Sequence, residues 1–322
     1  MYTLAQTLNF ALPFIQYEPL TAGTNLEPAI SIANTVRNTI LNAPFTWPWN
    51  RNEYAINTPN SPASLSAGVQ DYVFNIADFA YLERVSLLTA DGTQAFEIQD
   101  CYNTNILALA APSNQAQPNA AAVKFYTPGT SVAIRFLSIP DQAYTGVITY
   151  QKLSVPFQGF AFEAVNVIST VAYYLFSTPQ TAGASNGLAG QTFQVTGFDQ
   201  GGNNGAFVCT ASTSSYVILT NTSAITDTVV VPAFGIIGTW FPIPDSFIDI
   251  YNNLFLAEAM ASADDGREQL YRQRGVAALL SKAEGLTQMQ RNNFLAQYLS
   301  RGAAQTEAAQ QRTQQGIQGR GV

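Results

Sequence analysis

Two pairs of aspartates have a spacing that could support general acid and base chemistry. Asp264 and Asp265 are adjacent, and Asp71 and Asp78 lie within one short stretch of chain. Such chemistry needs two carboxyl groups within several ångströms of each other. However, Asp264, Asp265 and Gly266 together are typical of a turn that ends a helix, and Asp71 and Asp78 flank a predicted strand. We therefore expect these carboxylates to cap turns or face solvent, and the sequence predicts no catalytic residue.

The other reactive residue types are scarce. The chain has no histidine, which removes the commonest general base and the commonest metal ligand. Its two cysteines, Cys101 and Cys209, are too far apart in sequence for a CxxC pair or for zinc-finger spacing. We expect both to be buried thiols that pack as small apolar side chains, with one long-range disulfide as the alternative.

A glycine-rich run from Gly201 to Gly205 could in principle cradle a phosphate. It lacks the Lys-Ser/Thr of a P-loop, and it precedes a predicted strand rather than a helix. It is therefore typical of a hairpin turn. From these observations the sequence predicts a protein that is not an enzyme and that binds no cofactor or metal.

Charged residues are sparse and unevenly distributed. They make up 11% of the chain, against about 25% in an average protein. Residues 1–266 contain 6 Lys/Arg against 18 Asp/Glu, a net charge of −12, whereas residues 267–322 contain 8 against 3, a net charge of +5. The eight cations are Arg267, Arg272, Arg274, Lys282, Arg291, Arg301, Arg312 and Arg320. They predict either a solvated helical face with a disordered tail, or contact with an acidic partner or with DNA.

Apolar residues spaced three to four apart predict helices near both ends of the sequence. One helix follows Pro28 and stops at Pro44, and three more follow Pro244, Gly266 and Leu286. The last begins at Thr287, which has capping-box spacing to Gln290. Because short helices cannot bury their apolar stripes alone, we expect all four to pack into one bundle.

Between these helices, short runs rich in Val, Ile, Phe and Tyr alternate with turn residues, as in a β-sandwich or barrel. The predicted fold class is therefore α+β, a helical bundle that β-domains interrupt. The predicted segments are 1–44 as a lead-in and bundle helix, 45–175 as a β-rich domain, 176–238 as a small inserted β-domain, 239–301 as bundle helices and 302–322 as an extended or disordered tail.

An aromatic run from Phe45 to Arg51 follows the first helix. Its rings offer a large apolar area, and we expect them to close the junction between helix and sheet. The alternative is an anchor between subunits, where Trp and Arg are favoured. The candidate contact residues are Trp47, Trp49 and Arg51 in this run, together with Arg301, Arg312 and Arg320 in the tail.

Neither export nor membrane insertion is expected. Residues 1–20 have no basic n-region and no unbroken apolar h-region, so they predict no secretory signal. The longest apolar runs are interrupted and fall short of the ~20 residues that a membrane-spanning helix needs.

Several segments carry a family resemblance. They are the helix that leads into Pro44-Phe45-Thr46-Trp47, the turn Ile139 to Tyr144 before a predicted strand, and the run Trp240 to Phe247 that opens the later helices. In this order they resemble the head-to-tail adaptor proteins of tailed bacteriophages, especially podovirus tail tubular protein A. Residues 195–198, 203–207 and 216–221 are similar to the Ig-like repeats of phage virion proteins. Together these segments cover about half of the chain.

The resemblance implies a structural virion protein of the neck or tail, assembled in the host cytoplasm. Its expected partners are further copies in a ring of twelve, the portal protein, a tail nozzle or tube protein, and genomic DNA that crosses the ring without sequence-specific contact. Two alternatives stay open. One is another minor structural or tail protein of a phage, and the other is a carbohydrate-binding or depolymerase module with aromatic rings that stack on sugars.

Overall fold

The computed structural model describes most of the chain, with gaps. The described residues are 4–15, 20, 26–42, 44–56, 64–98, 100–102, 114–153, 156–237, 244–263, 265–296 and 298. The chain divides into two units, of which one comprises Leu41–Ser154 with Ala283–Gly285, and the other comprises Met1–Ile40, Val155–Lys282 and Leu286–Val322. We refer to them as the sandwich unit and the barrel unit.

The sandwich unit is built from two four-stranded sheets. One has the strand order β1-β8-β3-β4 and the other the order β2-β7-β6-β5. All neighbours are antiparallel except β5 and β6. The strands are β1 (Arg51–Ala55), β2 (Asp71–Phe74), β3 (Phe79–Thr89), β4 (Ala95–Glu97), β5 (Asp100–Tyr102), β6 (Ala120–Thr127), β7 (Ser131–Leu137) and β8 (Tyr144–Lys152).

One apolar core lies between these two sheets. Every second side chain along a strand contributes to this core. In β2, for example, Tyr72 and Phe74 are buried while Asp71 and Val73 are exposed. Strands of both sheets contribute side chains to the same cluster, including Phe74, Val85, Phe136 and Ile148. This arrangement is a β-sandwich.

The barrel unit contains a closed barrel of six antiparallel strands in the order β10-β13-β12-β11-β14-β9. Its strands are β9 (Gln158–Ile168), β10 (Val171–Phe176), β11 (Thr192–Thr196), β12 (Gly205–Ser212), β13 (Tyr216–Leu219) and β14 (Asp227–Ile237). The segment 176–238, expected as an inserted β-domain, supplies four of these strands, and β9 and β10 complete the barrel. The predicted hairpin turn at Gly201 to Gly205 is confirmed, since it joins β11 to β12.

Aromatic rings fill the barrel. Phe160, Phe162, Tyr174, Phe176 and Phe193 are buried in one cluster. Gly235 on β14 leaves room for two of them, because a Cβ atom there would lie 2.4 Å from Cε2 of Phe162 and 2.9 Å from Cδ1 of Phe193. The barrel interior is therefore packed with side chains.

The described α-helices belong to the barrel unit. They are α1 (Leu4–Ala11), α2 (Ala29–Leu41), α3 (Ile248–Ser262), α4 (Glu268–Lys282) and α5 (288–296). α3 packs against α1 and closely against α4, where a Cβ atom on Gly275 would lie 2.7 Å from Cδ2 of Leu254. The Tyr251 hydroxyl of α3 donates to the Ala33 carbonyl of α2 at 3.4 Å.

Local predictions for these helices are confirmed. α2 begins just after Pro28 and ends before Pro44. At the start of α5, the backbone N–H of Gln290 donates to Oγ1 of Thr287 at 3.2 Å, and Oε1 of Gln290 accepts from the backbone N–H of Thr287 at 2.9 Å. This reciprocal pair is the predicted capping box.

The predicted fold class, a helical bundle interrupted by β-domains, is wrong. The described residues form 14 strands in three sheets, one of them a six-stranded barrel, so the fold is mostly β. The physical reason is that each β-unit closes its own core from its own strands. The helices pack on one another, but they do not form the framework into which the strands are inserted.

Candidate interaction surfaces

The predicted contact residues of the aromatic run lie in a packed junction of the sandwich unit. The Phe45 and Trp47 rings stack with centroids 5.5 Å apart, and the Trp47 and Trp49 rings stack at 6.0 Å. Trp47 is only 2% exposed, and its backbone N–H donates to Oε1 of Gln151 at 3.2 Å. Trp49 is partly exposed. Trp47 therefore serves the sandwich core, and Trp49 is the ring of this pair that still reaches the surface.

Arg51 takes part in the same junction. It forms a two-pronged ion pair with Glu83, with Nε donating to Oε2 at 3.0 Å and Nη2 donating to Oε1. Oε2 of Glu83 also accepts from Nε2 of Gln151 at 2.8 Å. The hydrogen bonds to Glu83 raise the pKa of Arg51 above its ordinary value. These contacts link β1, β3 and β8 within one sheet.

The described carboxylates of the two aspartate pairs, those of Asp71, Asp78 and Asp265, each accept hydrogen bonds within strands or turns. Asp71 accepts from Arg135 at 2.7 and 2.8 Å and from Lys124 at 2.7 Å, which joins β2, β7 and β6 on the exposed side of their sheet. Asp78 accepts instead from the Tyr150 hydroxyl at 2.6 Å. The expected turn role of Asp265 is confirmed, since its carboxylate accepts from the backbone N–H of Arg267 at 2.9 Å.

Four predicted site residues lie outside the described part of the chain. They are Asp264 of the second carboxylate pair and Arg301, Arg312 and Arg320 of the cationic tail. The predicted roles of the three arginines stay predictions.

The described cations of the C-terminal region have different environments. Arg272 is buried on α4, with Nη1 donating to Glu258 at 2.7 Å, Nη2 donating to Glu268 at 3.2 Å, and its guanidinium 5.4 Å from the centre of the Tyr298 ring. Burial alone would lower the pKa of Arg272, but the two carboxylates raise it above its ordinary value. Arg272 therefore joins helices within the unit.

Arg274 on α4 and Arg267, which immediately precedes α4, are both exposed. Large apolar side chains of α4 and of the segment around the end of α1 are exposed as well. Phe10 is 39% exposed, Leu12 55% and Leu270 48%. The Phe14 ring lies 5.5 Å from that of Phe10 and 6.1 Å from that of Tyr271. We call this surface the helix patch, and its residues are Phe10, Leu12, Phe14, Arg267, Leu270, Tyr271 and Arg274.

The helix patch is held in place by polar contacts. Nη2 of Arg267 donates to the Phe14 carbonyl at 2.9 Å, which ties the chain after α1 to the beginning of α4. The guanidinium of Arg274 lies 5.9 Å from the centre of the Tyr271 ring, a cation–π distance. Sequence reasoning missed α1. Its buried residues Leu4, Thr7 and Ala11 have helical spacing and could have identified it.

A second exposed surface lies at one end of the barrel. Three loops meet there, at residues 168–171, 197–204 and 220–226, and we call them the barrel loop end. Ile168 is 59% exposed, its cross-strand partner Val171 36% and Ile225 51%. These apolar side chains share the loop end with exposed Asp199.

Buried amide groups fix these loops. Asn203, which is fully buried, donates from Nδ2 to the Ile225 carbonyl at 2.8 Å and accepts from the Ile225 backbone N–H at 2.9 Å. Nδ2 of Asn221 donates to the Tyr174 hydroxyl at 2.7 Å and to the Gly202 carbonyl at 2.8 Å. Because the loops are tied to each other and to the barrel wall, the loop end is a preorganised surface.

A third exposed surface is the tip of the β6–β7 hairpin in the sandwich unit. All residues from Phe125 to Thr130 are exposed, with Phe125 at 52% and Tyr126 at 49%. Val73 on β2 is also 51% exposed and pairs with Ala133, as Phe125 does. Large apolar side chains thus line the outer face of this sheet.

One serine that is not among the predicted site residues lies in a sequence pattern typical of a catalytic nucleophile. Gly183-Ala184-Ser185-Asn186-Gly187 fits the Gly-x-Ser-x-Gly run of serine hydrolases. Ser185 has a left-handed backbone with φ of 53°, but a turn follows it where a nucleophile elbow continues into a helix. The chain also has no histidine to act as its base. The run serves as a turn between β10 and β11.

The two cysteines lie in environments that disfavour a reactive thiolate. Both thiols are free, Cys209 being buried and Cys101 half-buried, and burial raises the pKa of Cys101 to about 11. Among the described residues, no three His, Cys, Asp or Glu side chains are grouped so as to hold a metal ion. Within the same residues, none of the helices has the length and apolar character needed to cross a membrane.

No protein-family model matches this chain. A comparison with curated proteins also finds no significant relative. The resemblance to phage adaptors therefore stays a prediction, carried by the order of the segments quoted above.

Proposed function

We propose that this chain is a structural subunit that works by assembly with other proteins and catalyses no reaction. The observation that carries the proposal is the exposure of large apolar side chains on three surfaces, the helix patch, the barrel loop end and the β6–β7 hairpin tip. Contiguous apolar patches of this kind mark sites of protein interaction. The ionisable side chains that suggested chemistry instead hold strands and turns together.

The particular assembly that we propose is the head-to-tail neck of a tailed bacteriophage. In it the chain forms a ring of twelve copies between the portal protein and a tail nozzle or tube protein, and DNA passes through the ring without sequence-specific contact. The resemblance of the quoted segments supports this assignment. The excess of cations after residue 266 also supports it, because cations favour both an acidic protein partner and passing DNA.

Electron microscopy of the purified protein, alone and with portal protein, tests this proposal. The expected result is a ring on the portal, with a central opening. Light scattering on the same samples gives the copy number. A protein that stays monomeric and does not bind portal would reject the neck assignment, whereas rings without portal affinity would favour another structural protein of the virion.

The exposed Phe125 and Tyr126 favour one further candidate, a carbohydrate-binding module, since exposed rings can stack on sugars. A glycan array with the wild-type protein and the Phe125→Ala variant distinguishes the two. Under the assembly proposal neither protein binds glycans. Glycan binding that is lost in the variant would favour the carbohydrate module.

A further inference from the structure

The barrel and the helix patch differ in charge. From residue 153 to residue 266 the sequence contains no Lys or Arg, so every formal charge on the barrel strands and loops is negative. At the barrel loop end, Asp199 is exposed and Asp227 accepts from the backbone N–H of Gln200 at 3.0 Å. This surface therefore combines exposed aliphatic side chains with carboxylates.

The helix patch has the opposite sign. Its charged members are Arg267, which pairs with Asp265 at 2.6 Å, and Arg274, which has no carboxylate within ion-pair distance among the described residues. Arginine and aromatic side chains in this combination are enriched where binding energy concentrates in protein interfaces. The exposed Leu270 and Phe10 add apolar area beside them.

We propose that the helix patch of one copy docks on the barrel loop end of a second copy, with Arg274 against Asp199 and with Leu270 and Phe10 against Ile168 and Ile225. The two surfaces are complementary, since each exposes large apolar side chains and their charged residues have opposite signs. This inference rests on the proposed function, because it names the contact through which the ring would close.

The two surfaces come from different segments, so the contact is heterologous. Each copy then keeps one free helix patch and one free loop end after it has bound a neighbour, and repetition of the same contact builds a ring or a filament. Both surfaces are preorganised, the patch through the bond from Arg267 to Phe14 and the loop end through Asn203 and Asn221. Association therefore requires little ordering of either side.

Two charge-reversal variants test the pairing. Arg274→Glu damages only the helix patch, and Asp199→Arg damages only the loop end. Sedimentation equilibrium on the full chain at low salt should show self-association at least tenfold weaker for each variant alone. An equal mixture of the two should recover association, with the two variants alternating along the assembly, because every contact between unlike variants joins opposite charges, native at one contact and reversed in sign at the next. Arg84→Glu, an exposed reversal in the sandwich unit, is the control and should associate as the wild type does.

Both variant sites are exposed, and matching thermal melts confirm that the variants are folded. Wild-type-like association of Arg274→Glu and Asp199→Arg would overturn the pairing, as would a mixture that stays monomeric. Flotation with phosphatidylglycerol vesicles, lost in Arg274→Glu while self-association is unchanged, would reassign the patch to an anionic lipid surface. Rings on the portal that survive both reversals would reject this contact and leave the neck proposal standing.

Discussion

Arg272 of α4 donates to Glu258 of α3 at 2.7 Å, and Oε1 of the same glutamate accepts from the Tyr298 hydroxyl at 3.4 Å. That hydroxyl lies 3.2 Å from Oγ1 of Thr39 on α2. The Arg272 guanidinium thus lies where α2, α3 and α4 meet the chain that follows α5. Burial, with Glu258 adding to it, raises the pKa of Tyr298 to about 12, so this group stays a neutral donor at ordinary pH.

Replacing Arg272 with methionine should destabilise the barrel unit strongly. The change leaves Glu258 and Glu268 without their cation, and Glu268 is only 7% exposed. Removal of one partner from a buried ion pair costs about 3 to 5 kcal/mol of unfolding free energy. Urea unfolding measures the loss. Arg274→Met, two positions along the same helix but exposed, is the matched control and should cost under about 0.5 kcal/mol. Equal losses in the two variants would contradict the assigned role of Arg272.

Gly235→Ala should strain the barrel. The added methyl group would lie 2.4 Å from the Phe162 ring, and overpacking of a filled core costs about 1 to 3 kcal/mol. Thermal unfolding should show a lower midpoint for this variant. Gly201→Ala is the control, since a Cβ atom there meets nothing within 4 Å. A Gly235→Ala protein as stable as the wild type would mean that the rings can move aside.

Trp47→Ala should cost about 3 to 5 kcal/mol, the usual range for removal of a large buried aromatic side chain. Trp49→Ala should cost less, because Trp49 is partly exposed. Chemical unfolding of both variants measures the difference. If instead Trp47→Ala keeps its stability and loses only self-association, Trp47 acts as an anchor between subunits.

Acid should weaken the sandwich unit through Asp71. The hydrogen bonds from Arg135, with those from Lys124, outweigh partial burial and lower the pKa of Asp71 to about 2. A carboxyl group with an unfolded pKa of about 3.9 then contributes stability that is fully present above pH 4 or so and is lost as the pH falls through about 2. Because the pair is exposed, we expect about 1 kcal/mol.

Unfolding of Asp71→Asn at pH 6 and at pH 2.5 tests this contribution. The variant should be less stable than the wild type at pH 6, and the gap should narrow at pH 2.5. Asp100→Asn changes another exposed carboxylate of the same unit and serves as the control. A constant gap across this range would show that the Asp71 contacts do not depend on its charge.

Deletion of residues 302–322 should leave a folded protein that no longer docks on portal. The deletion removes Arg312 and Arg320 and retains Arg301, so most of the cationic charge of the tail is lost. Circular dichroism checks the fold, and co-sedimentation with portal protein checks docking. Docking that survives the deletion would remove the tail from the neck proposal.

The sequence by itself determined the local features of this protein. Periodic apolar residues located α2, α3 and α4, the spacing of Thr287 and Gln290 located the capping box, and the glycine run located the hairpin between β11 and β12. These features depend on residues that are neighbours along the chain, so the pattern contains the required information. The absence of histidine likewise needed no structure to interpret.

Only the tertiary structure decided how the strands divide into sheets. β9 and β14 are far apart in sequence, yet they pair along one wall of the barrel. Closure of that barrel is cooperative and depends on contacts between strands that are far apart in the sequence. No local spacing of residues therefore predicts it. The terminal helices therefore suggested a bundle fold that the structure does not have, because their period is visible locally and the closure of the two β cores is not.

The environment of each charged side chain also depends on the tertiary structure. Arg272 and Arg274 are two positions apart in sequence, yet one is buried between two glutamates and the other is exposed beside Tyr271. Which face of α4 meets α3 determines that difference, since packing excludes water from one side of the helix only. The same packing leaves Leu270 exposed one helical turn before Arg274, on the surface that we propose for assembly.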